Sequence, residues 1–426
     1  MSGEAELLVG LDVGASKAAA VIARRAEDGL AVLGSGYAPL VSAGHLTLCD
    51  TTRRSAVIDL DATTRAIAEA IREAELTASC SVHSAVVAVG GAHVRGVNSH
   101  GVIPVRRGEV TPEDVEQVLE AARSVAFPPD RQVLHVLPYD YVLDQQEGIA
   151  DPIGMLGARL EARVHVVSAS VSAVQNVARC CERAGVEPAE LIWAPLATAE
   201  AVLTPEEKEL GVAFWDFGAG TTDVLIFYRG GLRWSFSLGI GGAWITSDVA
   251  HGLQTPLREA EFIKVQHGCA LRSMVDDEER VEVPGIGGRS PRFIPRKELA
   301  WMIEARADEI VRMLWRGVEE VDADRHVRCG SVIAGSGALL PAMDRLVQEV
   351  TGREVRLGAT RWRHNGNGEE FQENRASLDP VYATALGLLL LHTREHDRSL
   401  DGFPAGRGLW NWTWGRLRAF WRALRE

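Results

Sequence analysis

Two short segments of the chain join an aspartate to a glycine-containing turn, and this combination could bind a phosphate. The first is DVGASK at 12–17 and the second is DFGAGTTD at 216–223. Glycine lets the backbone approach an anion, free N–H groups form an anion nest, and Ser, Thr or Lys side chains add donors. A carboxylate repels a phosphate unless a cation lies between them. Asp12 and Asp216 therefore predict Mg²⁺, bound through its waters.

Each turn taken alone is more simply a β-hairpin, but two copies with the acid at the same place favour phosphate binding. A third glycine cluster, SVIAGSGALL at 331–340, has the pattern of a strand, a glycine turn and a helix. It is no complete G-x-G-x-x-G motif, and the chain contains no G-x-x-x-x-G-K-[ST] sequence. Taken alone, this third cluster is a weak signal, since a strand, a glycine turn and a helix occur together in many α/β proteins.

The elements around the two turns repeat. An apolar strand, an aspartate, a glycine turn, a second strand, a polar turn and a third strand occur near residues 7–38 and again at 211–242. This internal duplication predicts an α/β fold with two similar lobes that face one another across a cleft. A helix capped by Asp61 is expected over 61–76 and another, capped by Thr111, over 111–125. Residues 85–164 look like a small α+β unit of their own.

Composition restricts the function. The 426 residues carry 45 basic and 58 acidic side chains, a net charge of −13, which argues against nucleic acid as a partner. Six scattered cysteines without C-x-x-C spacing suggest neither disulfides nor zinc, and a reducing cytoplasm is the simplest expectation. The beginning of the sequence shows no signal-peptide pattern, and the longest apolar run, at 383–391, is too short to span a bilayer.

The C-terminal segment 408–426 differs from the rest of the chain. It contains four of the eleven tryptophans, and from Arg407 onward there are five arginines and one acidic residue. Helical spacing places one set of large apolar residues on a single face: Leu409, Trp410, Trp414, Leu417, Phe420, Trp421 and Leu424. Four arginines flank that face: Arg416, Arg418, Arg422 and Arg425. The pattern predicts an interfacial helix on an anionic membrane; a helix docked on the protein's own core, or a coiled-coil arm, is the alternative.

The turns resemble those of the actin-fold ATPases, in which each lobe offers a phosphate hairpin. Segments along nearly the whole chain, in order, then resemble the FtsA family of bacterial cell-division proteins. These segments are QEGIADPIGMLGARLEARVH (146–165), SAVQNVARCCERAGVEP (172–188), DFGAGTTDVLIF (216–227), TSDVAHGLQTPLREAEFIKVQHGCAL (246–271), VEVPGIGGRSPR (281–292) and YATALGLL (382–389). The resemblance implies an actin-like fold of the duplicated ribonuclease H type, with an inserted α+β subdomain and a C-terminal amphipathic helix.

The resemblance also implies ATP and Mg²⁺ between the lobes. The first phosphate turn would use Asp12, Gly14, Ala15, Ser16 and Lys17, and the second Asp216, Gly218, Ala219, Gly220, Thr221 and Thr222. The nucleoside would meet Gly241, Gly242, Glu261, Lys264, Gly335, Ser336, Gly337 and Ala338. Gln175 would orient the attacking water; because an amide cannot deprotonate that water, hydrolysis should be slow at most.

The domain boundaries that follow place the first lobe at 1–84 and 165–196, with 381–392 crossing back, and the inserted unit at 85–164. The second lobe is expected at 197–245 and 305–380, its small subdomain at 246–304, a linker at 393–407 and the membrane helix at 408–426. The inserted unit would contact a further copy of the chain in a filament, and later division proteins. The small subdomain would bind the C-terminal peptide of FtsZ, the tubulin-like division protein.

Together these expectations describe a division protein that polymerises on the cytoplasmic face of the inner membrane and anchors FtsZ there. Two alternatives use the same fold. One is an adaptor of a pilus or secretion machine, which would recognise a membrane-protein peptide instead of FtsZ. The other is a small-molecule kinase, which would need a carboxylate base over a substrate hydroxyl.

Overall fold

A computed structural model describes residues 7–26, 29–42, 45–46, 59–124, 127–285, 290–360 and 380–400. The strands are β1 (Leu7–Val13), β2 (Lys17–Ala26), β3 (Gly29–Pro39), β4 (Val41–Ser42), β5 (His45–Leu46), β6 (Ser84–Val89), β7 (Arg95–Pro104), β8 (Arg131–Leu143), β9 (Gln146–Ile149), β10 (Arg159–Ser170), β11 (Glu187–Trp193), β12 (Val212–Phe217), β13 (Thr222–Tyr228), β14 (Gly231–Leu238), β15 (Arg280–Val283), β16 (Arg292–Pro295), β17 (Ser331–Ala334) and β18 (Val355–Leu357).

The α-helices are α1 (Leu60–Ala78), α2 (Pro112–Arg123), α3 (Val171–Arg183), α4 (Ala194–Val202), α5 (Pro205–Leu210), α6 (Gly242–Leu253), α7 (Leu257–His267), α8 (Arg296–Glu320), α9 (Met343–Thr351) and α10 (Ala383–Leu400). Thr111 caps α2 as predicted, with its hydroxyl accepting from the backbone of Asp114. Helix α1 begins one residue earlier than expected, because Asp59 rather than Asp61 accepts from the Ala62 N–H and caps it.

Two five-stranded sheets confirm the duplication. The first has the order β11-β6-β1-β2-β3 and the second the order β18-β17-β12-β13-β14. In each, a central strand pairs antiparallel with the strand that follows it and parallel with a strand from later in the chain. Each sheet contributes to a large buried apolar cluster, and Leu11 and Trp215 are among the side chains with no exposure. The result is the predicted pair of α/β lobes.

The inserted subdomain is a four-stranded sheet, β7-β10-β8-β9, with α2 packed on it. Its observed bounds differ from the predicted 85–164 at both ends. Strand β6 pairs parallel with β1 and β11 and so belongs to the first lobe, whereas β10 stays in the inserted sheet to Ser170. A short apolar strand has the same sequence pattern in either sheet, so only its hydrogen-bonded neighbours decide where it belongs.

The inserted subdomain also docks on the second lobe, through strand β14. His165, which is buried, hydrogen-bonds Asn98 in its own sheet (2.6 Å) and Ser235 in β14 (2.8 Å). A Cβ on Gly96 would lie 2.1 Å from the Ser235 hydroxyl, so this glycine permits the close approach. The unit is thus covalently part of one lobe and packed against the other.

The small subdomain comprises α6, α7 and the hairpin β15–β16, with α8 leading back into the second lobe. Its predicted limits, 246 and 304, fall inside α6 and α8 respectively. Buried apolar side chains occur along nearly the whole of α8, from Leu299 to Val318. The helix therefore packs in both the small subdomain and the second lobe, and no domain boundary is visible within it.

The lobes are joined by crossed helices α4 and α10. A Cβ on Gly387 would lie only 1.8 Å from the carbonyl oxygen of Ala197, so glycine is required at the crossing. Helix α10 continues to Leu400, so the first part of the expected linker 393–407 is helical. The remainder of that linker and the predicted membrane helix 408–426 lie outside the described residues. Within the described part of the chain, no helix is both long and apolar enough to span a bilayer.

Candidate nucleotide-binding cleft

A cleft of about 920 Å³, including the part open to solvent, lies between the lobes and receives both predicted phosphate turns. The first turn contributes its whole length, Asp12 to Lys17, and the second contributes Asp216 and Gly218 to Thr221. Gly335 and Ser336, from the third glycine cluster, also line it. Three segments that are far apart in sequence therefore meet at one site.

The two hairpins have the same geometry. The N–H of Gly14 donates to the carbonyl of Lys17 at 2.9 Å, and the N–H of Gly218 donates to the carbonyl of Thr221 at 2.9 Å. The flanking strand pairs close directly on these turns, at Val13 with Ala18 and at Phe217 with Thr222. Each lobe thus offers a four-residue turn at the end of its first strand.

The third glycine cluster is held against the second turn by close backbone contact. Gly335 has φ of +84°, and a Cβ there would lie 2.5 Å from Asp216 Oδ1 and 2.6 Å from the Phe217 carbonyl. A Cβ on Gly337 would lie 3.0 Å from the Phe217 Cβ. Both the backbone conformation and the available space require glycine at Gly335. This contact brings the end of β17 to the carboxylate of Asp216.

Three carboxylates face the cleft: Asp12 and Asp223 are buried, and Asp216 is partly exposed. Burial raises the pKa of Asp12, although Lys17, whose Nζ lies 3.8 Å away, opposes the shift. Burial raises the pKa of Asp216 to about 6, with a hydrogen bond from Thr198 acting against it. Burial raises the pKa of Asp223 to about 7, opposed by hydrogen bonding with Ser237. Such carboxylates gain most from a nearby cation.

The chemistry of these donors fits magnesium bound through water. A cation in the cleft would lower the pKa of Asp216 and Asp223 and would let a polyphosphate approach them. No group of three or more His, Cys, Asp or Glu side chains in the described residues has the arrangement of a direct metal site. The roles of Asp12 and Asp216 toward the metal remain predictions.

Several lining residues were missed from the sequence: Gly90, Gly91, Ala194, Pro195, Thr198, Asp223, Pro380 and Thr384. Thr198 and Thr384 come from the crossed helices, where their hydroxyls lie 2.9 Å apart. Asp223 is the last residue of the DFGAGTTD segment, and the sequence predicted no role for this aspartate. The sequence feature that could have identified Asp223 is its position at the start of a predicted strand, seven residues after Asp216.

Other predicted residues lie behind the second turn rather than among those that line the cleft. Thr222 donates to the carbonyl of Ile240 at 2.9 Å. The N–H of Gly242 donates to the carbonyl of Gly218 at 3.0 Å, and a Cβ on Gly241 would lie 2.5 Å from that same oxygen. Gly337 and Ala338 follow Ser336 in a short 3-10 helix. These residues shape the turn from behind.

Glu261 and Lys264 form an ion pair at 2.7 Å on α7. The Lys264 ammonium also donates to the carbonyl of Gly242 (3.2 Å) and to the Thr246 hydroxyl (2.8 Å), and that hydroxyl bonds Glu261. The pair therefore ties α7 to the start of α6, directly behind the second turn. Gln175, on α3, is half-buried and is not among the described residues that line the cleft.

The comparison with protein families matches two parts of the chain. Residues 213–387 match the family model described as "Cell division protein FtsA". Residues 91–168 match the model described as "SHS2 domain inserted in FTSA", and these bounds agree with the observed inserted sheet better than the predicted 85–164. Among curated proteins, the chain is 39% identical over 386 residues to the cell division protein FtsA of Pseudomonas aeruginosa, covering 90% of this chain and 89% of that protein.

Solved structures agree on the fold. The type IV pilus biogenesis complex PilM-PilN contains a chain that superposes with a TM-score of 0.64 at 19% identity, covering 90% of this chain and 98% of that one. MreB5 of Spiroplasma citri, crystallised with ADP, superposes with a TM-score of 0.54 at 12% identity, covering 93% of this chain and 99% of that one. At these identities the likeness establishes the actin-like fold and nothing further.

Proposed function

The chain belongs to the FtsA family of cell-division proteins, and from this premise we propose that it binds Mg-ATP, polymerises on the inner membrane and anchors FtsZ filaments at the division site. A role in division follows from the family itself. The finer activities are assigned to separate regions of the chain. The nucleotide is assigned to the cleft, FtsZ to the small subdomain and the membrane to the C-terminal segment.

The observation that carries nucleotide binding is the pair of equivalent hairpins on opposite walls of one cleft. Their backbone N–H groups would hold the phosphates, and Lys17 would add a positive charge. Asp12, Asp216 and Asp223 would hold the waters of magnesium, which supplies the charge that lets these acids and the phosphates share the site. Ser336 would face the nucleoside, and the Glu261 and Lys264 pair would support that side through Gly242.

Hydrolysis is proposed to be slow. Gln175 is the assigned water-positioning residue, and an amide orients water without removing its proton. Because this side chain is not among those lining the cleft, it would have to approach the nucleotide as the lobes close around the crossed helices α4 and α10. ATP would then act mainly as the ligand that holds the lobes together.

The small subdomain is proposed to receive the C-terminal peptide of FtsZ. Five of its large apolar side chains are each more than half exposed: Phe262, Met274, Phe293, Trp301 and Val265. Five exposed large apolar groups in one small unit are the observation that supports a docking role here. The inserted subdomain is assigned to contacts with the next copy in a filament and with later division proteins.

The segment 408–426 is proposed as the membrane anchor. Burial of each large apolar side chain contributes at most about 3 kcal/mol, and ordering the helix costs about 1 kcal/mol per residue, so one segment should bind reversibly. A filament would hold many such segments at high effective concentration, which couples assembly to attachment. Localisation on the cytoplasmic face of the inner membrane follows from this assignment.

Sedimentation of purified FtsZ with phosphatidylglycerol-containing liposomes tests the proposal, with this chain and Mg-ATP added. Trp414→Glu alters the apolar face of the predicted helix, and Trp412→Glu, which falls off that face, is the matched control. We expect FtsZ to pellet with the native chain and with the control, but not with Trp414→Glu. If this chain pellets while FtsZ stays in solution, the chain binds the membrane but does not bind FtsZ. Its partner would then be another protein, as in an adaptor of a pilus or secretion machine. If phosphate is transferred from ATP to a small molecule, a kinase is indicated instead.

A further inference from the structure

A group of basic and aromatic side chains lies at the far end of the second lobe, where β13 turns into β14. We call Tyr228, Arg229, Arg233, His326 and Arg328 the arginine cluster. The guanidinium carbons of its three arginines lie 5.4, 5.5 and 6.0 Å from the centre of the Tyr228 ring. The His326 ring is 4.6 Å from the same ring. Three positive charges therefore surround one aromatic ring in a protein whose net charge is −13.

Two carboxylates lie near this group: Glu209 beside Gly230 in the turn, and Asp324, which acts on His326 and is 3.9 Å from Arg353. Among the described residues, no ion pair within 4 Å involves Arg229, Arg233 or Arg328, although many other arginines have such a pair. Asp140, the acid that acts on Arg233, already pairs with Arg163 at 3.3 Å. Burial and the three neighbouring arginines lower the pKa of His326, which agrees with an excess of positive charge. Like charges this close repel one another, and an anion supplied from outside would relieve that repulsion.

The backbone conformation of the turn in the arginine cluster is also unfavourable for an arginine. Tyr228 ends β13 and Gly231 begins β14, so Arg229 and Gly230 form a two-residue hairpin turn with φ of +52° and +75°. Turns of this type favour Asn or Gly at the first position, and a long side chain there costs about 1 kcal/mol. An arginine held in this conformation points to a use for its charge.

The cluster reaches across to the inserted subdomain. Arg233 stacks on Tyr139, with 4.5 Å between the guanidinium carbon and the ring centre. Tyr139 is the extra residue of a bulge in β8, which leaves it without a partner in β10 and lets it turn toward β14. It also lines a depression on the inserted sheet together with Asn98, Ser99, His100, Arg159, Glu161 and Arg163. A bound segment could therefore contact both units at once.

We propose that the arginine cluster is a docking site for an acidic segment of a partner protein. Guanidinium groups form paired hydrogen bonds with carboxylates, and the Tyr139 and Tyr228 rings provide apolar walls beside them. A flat anionic membrane fits less well, because α8 ends in the exposed acids Glu319 and Glu320 shortly before His326. This site is separate from the cleft, from the small subdomain and from segment 408–426, and it does not depend on their assigned roles.

The test measures fluorescence anisotropy of a labelled peptide rich in Glu and Asp, with one tyrosine, added to the full-length chain. The control peptide carries Gln and Asn instead. Arg229→Asn removes one charge and places a favoured residue in the turn, so we expect its thermal midpoint to be unchanged or raised while peptide affinity falls about tenfold. Arg328→Gln should act in the same direction. Arg312→Gln, which breaks an exposed pair with Asp308, is the matched control and should bind normally.

Four outcomes would overturn the proposal. Peptide binding that is equal in the native chain and in Arg229→Asn would place the acidic peptide elsewhere, for example on the basic segment 408–426. Equal binding of the Gln and Asn peptide would show that charge is not recognised. If the cluster variants bind the acidic peptide normally but lose affinity for phosphatidylglycerol vesicles, or if inorganic phosphate displaces the peptide completely at equal concentration, the ligand is a lipid headgroup or a free phosphate.

Discussion

The two hairpins at the cleft have one geometry and two electrostatic arrangements. In the first turn, Asp12 has the ammonium of Lys17 at 3.8 Å, and Lys17 also donates to the Val381 carbonyl at 2.5 Å. In the second turn, Asp216 and Asp223 have hydroxyl partners and no ammonium or guanidinium group within 4 Å in the described residues. The first turn carries a counter-charge at 3.8 Å, whereas Lys17 acts on Asp216 of the second turn from beyond 4 Å. Duplication thus preserved the backbone while the charges diverged.

The largest effect is expected where the second turn meets the third glycine cluster. Gly335→Ala would place a Cβ 2.5 Å from Asp216 Oδ1 in a left-handed conformation. We expect a loss of about 3 kcal/mol in the free energy of unfolding and no measurable ATP binding. Denaturant unfolding and nucleotide titration measure these two quantities.

Gly352→Ala is the matched control for Gly335→Ala. Its φ is +65°, but no atom lies within 4 Å of the new Cβ. It should cost only about 1 kcal/mol and leave ATP affinity unchanged. If the two variants lose stability equally and both bind ATP, the packing of Gly335 on Asp216 has no part in the site.

The second largest effect is expected in the pH dependence of the free energy of unfolding, which should distinguish the second turn from the first. Burial raises the pKa of Asp216 to about 6 and of Asp223 to about 7, from 3.8, so the folded state binds more protons than the unfolded state in this range. The free energy of unfolding without nucleotide should therefore fall as pH rises from about 4 to about 7. Asp216→Asn should remove about 2 to 3 kcal/mol of that fall.

Chemical denaturation at several pH values measures this dependence, and Asp322→Asn, an exposed acid, is the control. Mg²⁺ with ATP should flatten the native profile, because bound cation stabilises the charged carboxylates. A native profile that rises over the same interval would mean that the carboxylates of the second turn are stabilised as anions by the protein alone.

A smaller effect is expected in the first turn. Lys17→Met removes the cation beside Asp12 and should lower ATP affinity about tenfold. Thr221→Val in the second turn should lower it only about threefold, because that turn would bind mainly through its backbone. Calorimetric titration compares the two. Equal losses of ATP affinity in the two variants would contradict the proposed electrostatic difference between the hairpins.

The smallest effect is expected behind the second turn. Lys264→Gln breaks the pair with Glu261 and the bond to the Gly242 carbonyl. We expect ATP affinity to fall less than about fivefold, since this pair supports the turn and is not among the cleft-lining residues. Lys297→Gln, which breaks a comparable pair with Asp277, is the control. A loss as large as that of Lys17→Met would indicate that Lys264 reaches the nucleotide directly.

Local sequence determined the features that depend on a few neighbouring residues. The two aspartate–glycine hairpins, the capped helix that follows Thr111 and the duplicated order of strands were all predictable, because turns, caps and alternation are short-range properties. The third glycine cluster was also recognisable from the sequence. Only the tertiary structure explains why position 335 requires glycine, because a Cβ on Gly335 would lie 2.5 Å from Asp216 Oδ1.

Tertiary structure decided which distant segments meet. Strand β6 joined the first lobe instead of the inserted unit, Thr198 and Thr384 reached the cleft from crossed helices, and the inserted sheet docked on β14 through His165. These outcomes depend on hydrogen bonding and packing between segments that are far apart in the chain. A buried strand or a buried threonine has the same local pattern whichever partner it finds, so its partner is set by the whole fold.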